Sequence, residues 1–124
     1  MTKTRREYNL EKRTINFSQE ILIFSRSIEK DIVNRPLIDQ LVRAATSIGA
    51  NYHEANGASS KRDFKNKINI CKKESRETKY WLELIAKDTP DKKDVCRKLW
   101  KEAQEFTLIF SKIIQTIEKG NILN

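Results

Sequence analysis

Five cationic side chains between residues 61 and 79 have the types and the spacing that phosphate binding requires. On an α-helix, with about 100° per residue, they share one narrow sector: Lys61, Lys65, Lys72, Arg76 and Lys79. As a helical row they extend over about 27 Å, long enough to meet several phosphates of a nucleic acid. We predict a nucleic-acid-binding surface here. A charged face that only keeps the helix soluble is the alternative interpretation.

An apolar seam runs beside this basic row and indicates how a helix positions the cations. The seam follows intervals of three and four residues, which is typical of one buried helix face: Phe64, Ile68, Cys71, Ser75, Thr78, Leu82 and Ile85. Glu74 and Glu77 lie on the other side of the seam. The charge is therefore sorted by face, with one sector buried and its neighbour cationic.

The charge of the whole chain agrees with a polyanionic partner. The 124 residues carry a formal net charge of +8, and the sequence pI is near 9.6. Most of the excess lies in two segments: residues 61–79 hold eight Lys/Arg against three Asp/Glu, and residues 3–13 hold five against two. Such local concentration favours nucleic acid or an acidic protein surface as the partner.

The sequence contains no pattern of residues that matches a known catalytic or metal-binding site. The single histidine, His53, has no Glu three residues before it, so the Glu-x-x-His pairs of a di-iron bundle are absent. Cys71, Cys96 and His53 are too scattered for a four-ligand zinc site. No nucleophilic elbow or Walker-type loop is present. We predict no enzyme activity, no catalytic residue, no cofactor and no metal, and we interpret both cysteines as reduced core thiols.

A second polar group recurs at three- and four-residue intervals along the preceding helix. It consists of Arg43, Ser47, Asn51 and Glu54, with Glu77 of the following helix as a plausible acceptor for the Asn51 amide. One interpretation is a cluster that contacts a ligand or RNA, and another is that Arg43 and Glu54 form ion pairs between subunits. The favoured interpretation is a structural polar cluster that sets the register of two helices or orders the turn between them.

Four amphipathic segments predict the architecture. We place helices at about residues 9–31, 36–56, 61–87 and 91–119, with Pro36 in the first turn of the second and Ser60 capping the third. Gly120 is predicted to cap the fourth helix in a left-handed conformation. Short links between the helices favour an all-α, antiparallel up-down-up-down four-helix bundle forming one domain over residues 1–124.

Several large apolar residues do not fit the seams of such a bundle. We predict that four of them lie at subunit contacts, because surplus aromatic and aliphatic surface commonly marks an interface: Trp81, Trp100, Ile109 and Ile114. Tyr80 and Trp81 have the mixed character suited to base stacking, but packing within the protein or at an interface is the favoured interpretation.

No apolar run approaches the roughly 20 residues that a membrane-spanning helix needs, and the first residues lack the apolar stretch of a signal peptide. We therefore expect a cytoplasmic protein with no membrane partner.

Four segments resemble one known family: LEKR at residues 10–13, QLVRAATSIGANYHEA at 40–55, SKRDF at 60–64 and ETKYWL at 77–82. Nearly the whole chain resembles the four-helix bundle family of 23S rRNA intervening-sequence proteins. Relatives of that family include the accessory variability determinant of diversity-generating retroelements, a basic bundle that acts with a reverse transcriptase and its RNA. The resemblance implies a homopentameric barrel of four-helix protomers that binds nucleic acid.

These observations converge on a non-catalytic, self-associating, basic protein that binds nucleic acid, with RNA favoured over DNA. The rival hypothesis is an interaction scaffold whose basic face docks an acidic protein, for example a reverse transcriptase, without contacting nucleic acid. A third hypothesis is an oligomer whose basic face only keeps it soluble.

Overall fold

The computed structural model describes residues 9–123, with side chains through residue 120. Four α-helices follow one another: α1 (Leu10–Ser27), α2 (Arg35–Asn56), α3 (Lys61–Asp88) and α4 (Lys93–Leu123). A single 3₁₀ turn, Pro90–Lys92, precedes α4. Residues 9–123 contain no β-strand. The prediction of an all-α protein with four helices is confirmed.

Each helix packs along its length against the next one in the chain, which makes a bundle. Several hydrogen bonds cross these interfaces. Cys71 Sγ of α3 donates to the Ile48 carbonyl oxygen of α2 at 3.5 Å, and Trp100 Nε1 of α4 donates to Glu83 Oε1 of α3 at 3.1 Å. None of the helices in the described part of the chain is long and apolar enough to cross a membrane.

The core of the bundle is filled by one inward-facing stripe from each helix. Its largest fully buried side chains are apolar residues whose spacing matches the helical repeat: Leu10, Phe17, Ile21, Leu41, Ile48, Ile68, Leu82, Phe106 and Phe110. Ser75 and Thr78 are also fully buried, and their hydroxyls donate to the carbonyl oxygens four residues earlier. Because these hydroxyls are satisfied within α3, they can occupy the seam without a partner on another helix.

A glycine lets α1 lie close to α2. A Cβ atom at Gly49 would stand 3.0 Å from both Cβ and Oγ1 of Thr14, which is closer than packed side chains normally approach. Thr14 is itself buried and donates from Oγ1 to the Glu11 carbonyl oxygen at 3.0 Å. The absence of a side chain at Gly49 therefore sets the distance between the first two helices.

The packing of α1 against α4 is confined to a short stretch. There the Phe17 and Phe106 rings meet edge to face, with centroids 5.4 Å apart. Arg13 Nη2 lies 2.8 Å from Glu102 Oε1 and 3.1 Å from Glu105 Oε1, and the Arg13 guanidinium lies 5.2 Å from the Phe106 centroid. Burial opposes the charged form, but the two carboxylates outweigh it and raise the pKa of Arg13.

The structure corrects two predicted helix ends. Helix α1 ends at Ser27 and does not reach Asp31, because Asp31 and Asn34 exchange hydrogen bonds: the Asp31 amide donates to Asn34 Oδ1 at 2.8 Å, and the Asn34 amide donates to Asp31 Oδ1 at 2.7 Å. Such side-chain bonds compete with the helix for the same backbone groups.

Gly120 is not a left-handed cap, since α4 continues to Leu123 and no described glycine has positive φ. A glycine inside a helix costs only about 1 kcal/mol.

Candidate nucleic-acid interface

Helix α3 begins with the cap that its sequence predicts. Ser60 Oγ accepts a hydrogen bond from the Asp63 amide at 3.0 Å. The helix then runs without interruption for 28 residues. The buried stripe of α3 faces α2 and α4, so the opposite side of the helix is left as an exposed surface.

A shallow groove of about 490 Å³ lies on this exposed side. We call it the α3 groove, and define it by the residues that line it: Asn69, Lys72, Lys73, Arg76, Glu77 and Tyr80. Lys73 and Arg76 are exposed, and Lys72 is partly exposed. Within residues 9–120, none of these three cations has an ion-pair partner. Glu77, the one carboxylate among the described residues of the groove, is paired with Arg43, so the charges of these three cations face solvent and suit an anionic ligand.

The predicted basic row divides into two groups. Lys61, Lys72 and Arg76 have no ion pair with any described residue. Lys65 Nζ instead lies 3.1 Å from Glu118 Oε2 of α4. Lys79 Nζ donates to Gln104 Oε1 and lies 5.3 Å from the centroid of the Trp100 ring.

Two members of the α3 groove, Lys73 and Asn69, were not among the residues that the sequence analysis singled out. Lys73 stands three residues before Arg76 and Asn69 seven residues before it, so both project from the same side of the helix as Arg76. The signal was present in the helical spacing. The predicted sector runs from Lys61 and Lys79 at one edge to Arg76 at the other, whereas the groove extends beyond Arg76 toward the more exposed side of the helix.

The neighbouring aromatic residues Tyr80 and Trp81 have different surroundings. Tyr80 is 58% exposed at the end of the α3 groove, whereas Trp81 is half-buried against the core. Their rings meet edge to face, with centroids 4.9 Å apart. Trp81 thus supports one edge of Tyr80, whose ring remains accessible to a planar ligand.

The predicted structural polar cluster forms two separate sets of contacts. Arg43 Nη2 lies 2.9 Å from Glu77 Oε1, and Arg43 Nη1 lies 3.6 Å from Glu74 Oε1. The Glu74 side chain is only 8% exposed. Arg43 therefore joins α2 to α3 across two carboxylates, one of them buried. Glu74 was missing from the predicted cluster because its sequence position places it only at the border of the seam.

The other members bond within α2 or across its end. Ser47 Oγ donates to the Arg43 carbonyl oxygen at 2.7 Å, and Asn51 Nδ2 donates to the Ser47 carbonyl oxygen at 2.8 Å. Glu77 accepts from Arg43 rather than from the Asn51 amide. Glu54 Oε1 lies 2.9 Å from Lys67 Nζ, and this pairing lowers the pKa of Glu54 and raises that of Lys67.

The residues predicted at subunit contacts are largely covered within the protomer. Trp81, Trp100 and Ile109 are half-buried against the core. Ile114 is buried at 8% exposure, because it follows Phe110 by four residues and so lies on the same helix face. The most exposed large apolar side chains within the helices are instead Ile15, Ile23, Tyr80 and Leu108.

Both cysteines are free and buried. Burial raises the pKa of the Cys71 thiol to about 12 and that of Cys96 to about 11. His53 is exposed on α2. In the described part of the chain, no three His, Cys, Asp or Glu side chains stand close enough together to hold a metal ion.

The fold and the α3 groove define a class: a basic, all-α bundle with an unpaired cationic surface on one helix. The sequence profile of the 23S rRNA-intervening sequence protein family matches residues 6–112. The chain belongs to that family.

One solved structure is similar over most of its length. It is a protein of unknown function from the S23 ribosomal protein family of Bacteroides thetaiotaomicron VPI-5482. The two chains share 31% sequence identity and superpose with a TM-score of 0.73, covering 84% of this chain and 96% of the other. A comparison with curated proteins finds no match.

Proposed function

We propose that this protein binds nucleic acid through the α3 groove, with RNA favoured over DNA, and that it performs no catalytic step. The observation that carries the proposal is the absence of any ion pair for Lys72, Lys73 and Arg76 within the described residues. Other cations of the bundle, such as Arg13 and Arg43, are paired with carboxylates, whereas these three cations lie together in one exposed groove. Cations left unpaired beside one another are costly to the isolated protein and favourable to a polyanion.

The groove combines two modes of recognition that suit a single strand. The cations meet successive phosphates, while the exposed Tyr80 ring offers a face on which an unpaired base can stack. A regular duplex keeps its bases inside, where Tyr80 cannot reach them. The proposal therefore favours single-stranded RNA over duplex RNA. Lys65 and Lys79 must first leave their partners on α4, so they contribute less than Lys72 and Arg76.

We also propose that the helices run antiparallel and that the protein assembles with itself, as a pentamer, in the cytoplasm. The antiparallel course is supported by two contacts between α3 and α4: Lys65 meets Glu118, whereas the later Lys79 meets the earlier Gln104.

Assembly is supported by the exposed apolar side chains of α1 and α4. Several copies would present several α3 grooves to one RNA and raise the effective concentration of each.

Fluorescence anisotropy with one labelled sequence tests nucleic-acid binding, offered as single-stranded RNA, duplex RNA and duplex DNA. The test variant is Lys72→Ala/Lys73→Ala/Arg76→Ala. A matched control, Arg26→Ala/Lys98→Ala/Lys101→Ala, removes three exposed cations outside the groove. We expect tight binding to single-stranded RNA by the wild type and the control, and a loss of at least tenfold in the groove variant. Equal affinity of all three proteins contradicts the proposal.

The scaffold hypothesis makes the opposite prediction in the same assay. An acidic protein, for example a reverse transcriptase, also fits unpaired cations. In that case no nucleic acid binds above background near physiological salt. The groove variant then loses the protein partner, while the matched control keeps it.

A further inference from the structure

A second cationic concavity lies where the end of α3 meets the start of α4. We call it the α3–α4 cavity; it has a volume of about 410 Å³. Its lining consists of side chains from both helices: Leu82, Glu83, Ala86, Lys87, Lys93, Cys96, Arg97 and Trp100. The basic row did not extend to this place, and neither the polar cluster nor the α3 groove includes any of these residues.

The floor of the cavity is apolar and is bordered by an aromatic ring. Leu82 and Cys96 are buried beneath it, and the half-buried Trp100 indole forms a wall. The indole is held in place, because its Nε1 donates to Glu83 Oε1 at 3.1 Å. The same bond engages the carboxylate of Glu83, the only acidic side chain among the described residues that line the cavity. A floor and wall of this kind suit a planar, weakly polar group.

The rim of the cavity is cationic. Lys87, Lys93 and Arg97 are exposed, and no residue between 9 and 120 forms an ion pair with any of them. Among the described residues that line the cavity there are three cations and one carboxylate, and that carboxylate already accepts from Trp100. The rim therefore suits an anion of more than one charge, such as a phosphate monoester. A ligand that uses both floor and rim carries a planar ring and a phosphate.

The α3–α4 cavity lies in line with the α3 groove. Lys87 follows Arg76 by eleven residues, which is close to three full turns, so both side chains project from the same side of α3. The distance between them along the helix is about 16 Å. A strand whose phosphates occupy the groove can therefore bring its end into the cavity.

We propose that the α3–α4 cavity binds the 5′-terminal nucleotide of an RNA strand through its 5′-phosphate. The base rests against the Trp100 indole, and Lys87, Lys93 and Arg97 contact the phosphate. This assignment rests on the proposed function, since it takes the end of the strand that the α3 groove holds. It adds that the protein distinguishes a 5′-phosphorylated end from a 5′-hydroxyl end.

The experiment compares two RNA oligonucleotides of one sequence, labelled at the 3′ end, one with a 5′-phosphate and one with a 5′-hydroxyl. The test variant is Lys93→Ala/Arg97→Ala, and the matched control is Lys98→Ala/Lys101→Ala, which removes two exposed cations of α4 outside the cavity. We expect the wild type and the control to bind the phosphorylated strand about tenfold more tightly, the scale of one or two charge-assisted hydrogen bonds. In the test variant the two strands should bind alike.

A competition arm separates a nucleotide site from a general attraction to phosphate. AMP is expected to cancel the advantage of the phosphorylated strand, whereas an equimolar mixture of adenosine and inorganic phosphate is not. If AMP and the mixture act alike, the site is not a nucleotide site and the proposal is overturned.

The binding results separate a wrong cavity assignment from a wrong proposed function. Equal binding of both strands to the wild type, or an unchanged ratio in the test variant, overturns the cavity assignment and leaves the α3 groove intact. Absence of binding by either strand overturns both.

Discussion

Lys79 Nζ lies 5.3 Å from the centroid of the Trp100 ring, so a lysine of α3 is held against an aromatic residue of α4. The same ammonium donates to Gln104 Oε1. Within the basic row of α3, Lys79 therefore serves the α3–α4 interface, whereas Lys72 and Arg76 face the open groove.

This division predicts that one lysine substitution lowers stability and another weakens RNA binding. Lys79→Ala should lower the free energy of unfolding by about 0.5–1 kcal/mol, because the contact with Trp100 is lost. It should leave RNA affinity almost unchanged. Lys72→Ala should weaken RNA binding and flatten the slope of log K against log salt concentration by about 0.7, the value for one phosphate contact with a single strand.

Urea unfolding and anisotropy at several salt concentrations measure the two effects. Lys98→Ala, which removes an exposed cation outside the groove, should change neither quantity. If Lys79→Ala flattens the salt slope as much as Lys72→Ala does, Lys79 leaves Trp100 to bind phosphate and the division is wrong.

Substitution of Gly49 should separate α1 from α2. In Gly49→Ala the new Cβ stands 3.0 Å from two atoms of Thr14. Overpacking of this kind costs about 1–3 kcal/mol, of which better helix propensity returns about 1 kcal/mol. We expect a net loss of about 1 kcal/mol in urea unfolding.

Gly57→Ala is the matched control, because its new Cβ comes no closer than 3.8 Å to the Glu54 carbonyl oxygen. It should cause no loss. Adding Thr14→Ala to Gly49→Ala should produce a smaller loss than the two single changes summed. Strict additivity would show that the crowding at Thr14 is not the cause.

Removal of Arg43 should leave a buried carboxylate without its cation. The Glu74 side chain is 8% exposed, and its nearest cation is Arg43 Nη1 at 3.6 Å. We expect Arg43→Ala to lower the free energy of unfolding by about 1–3 kcal/mol, less than for a fully buried pair, since Arg43 is half exposed.

Two variants check this explanation by thermal or urea unfolding. Lys67→Ala removes the exposed partner of Glu54 and should leave the midpoint unchanged. Glu74→Gln in the Arg43→Ala background should recover stability, because the amide needs no cation. If Glu74→Gln does not recover stability, the loss in Arg43→Ala comes from the packing of the aliphatic stem of Arg43 and not from the unpaired carboxylate.

The two cysteines should resist alkylation in the folded protein. Their pKa values, about 12 and about 11 against an ordinary 9.0, keep both thiols protonated at mildly alkaline pH, and burial blocks the reagent. Iodoacetamide should label them only after urea is added. The unfolded chain releases these protons near pH 9 while the folded chain keeps them, so their contribution to stability is complete below pH 9 and declines above it.

The same thiols allow a packing test. Cys71→Ala should cost about 1 kcal/mol and leave RNA affinity unchanged. Rapid labelling of the native protein would contradict the buried position of Cys71.

Light scattering should detect an assembly whose mass is a multiple of 14.6 kDa, fivefold for a pentamer. Because Ile15 of α1 and Leu108 of α4 are exposed within helices, Ile15→Lys and Leu108→Lys should favour the monomer. Ile32→Lys is the control, since Ile32 is exposed in the link between α1 and α2. A wild-type monomer at micromolar concentration would contradict self-association.

Sequence periodicity was sufficient to predict the helices and the buried stripe of α3, because burial follows directly from which residues share a helix face. Ile68, Cys71 and Leu82 are buried as the seam requires. Periodicity could not show that Lys65 and Lys79 find partners on α4. Whether these lysines are paired depends on residues about 25 to 50 positions away in the chain, and on how α3 and α4 are rotated about their own axes.

Local polar groups explain the remaining differences. The end of α1 depends on reciprocal bonds between Asp31 and Asn34, which compete with a continuing helix by a margin that residue spacing does not reveal. The α3–α4 cavity was also missed, since its cations come from two helices and its floor from residues that periodicity assigns simply to the core.

The short packing of α1 against α4 has a consequence for how the bundle fluctuates. Helix α1 can leave the bundle without separating α2 from α3 or α3 from α4, whereas departure of α2 or α3 breaks extensive interfaces on two sides. The lowest-energy partial opening is therefore the release of α1 together with the Arg13 ion pairs. Backbone amides of α1 should exchange with solvent before those of α3, and the faces of Phe17 and Phe106 that touch in the closed bundle become transiently wet.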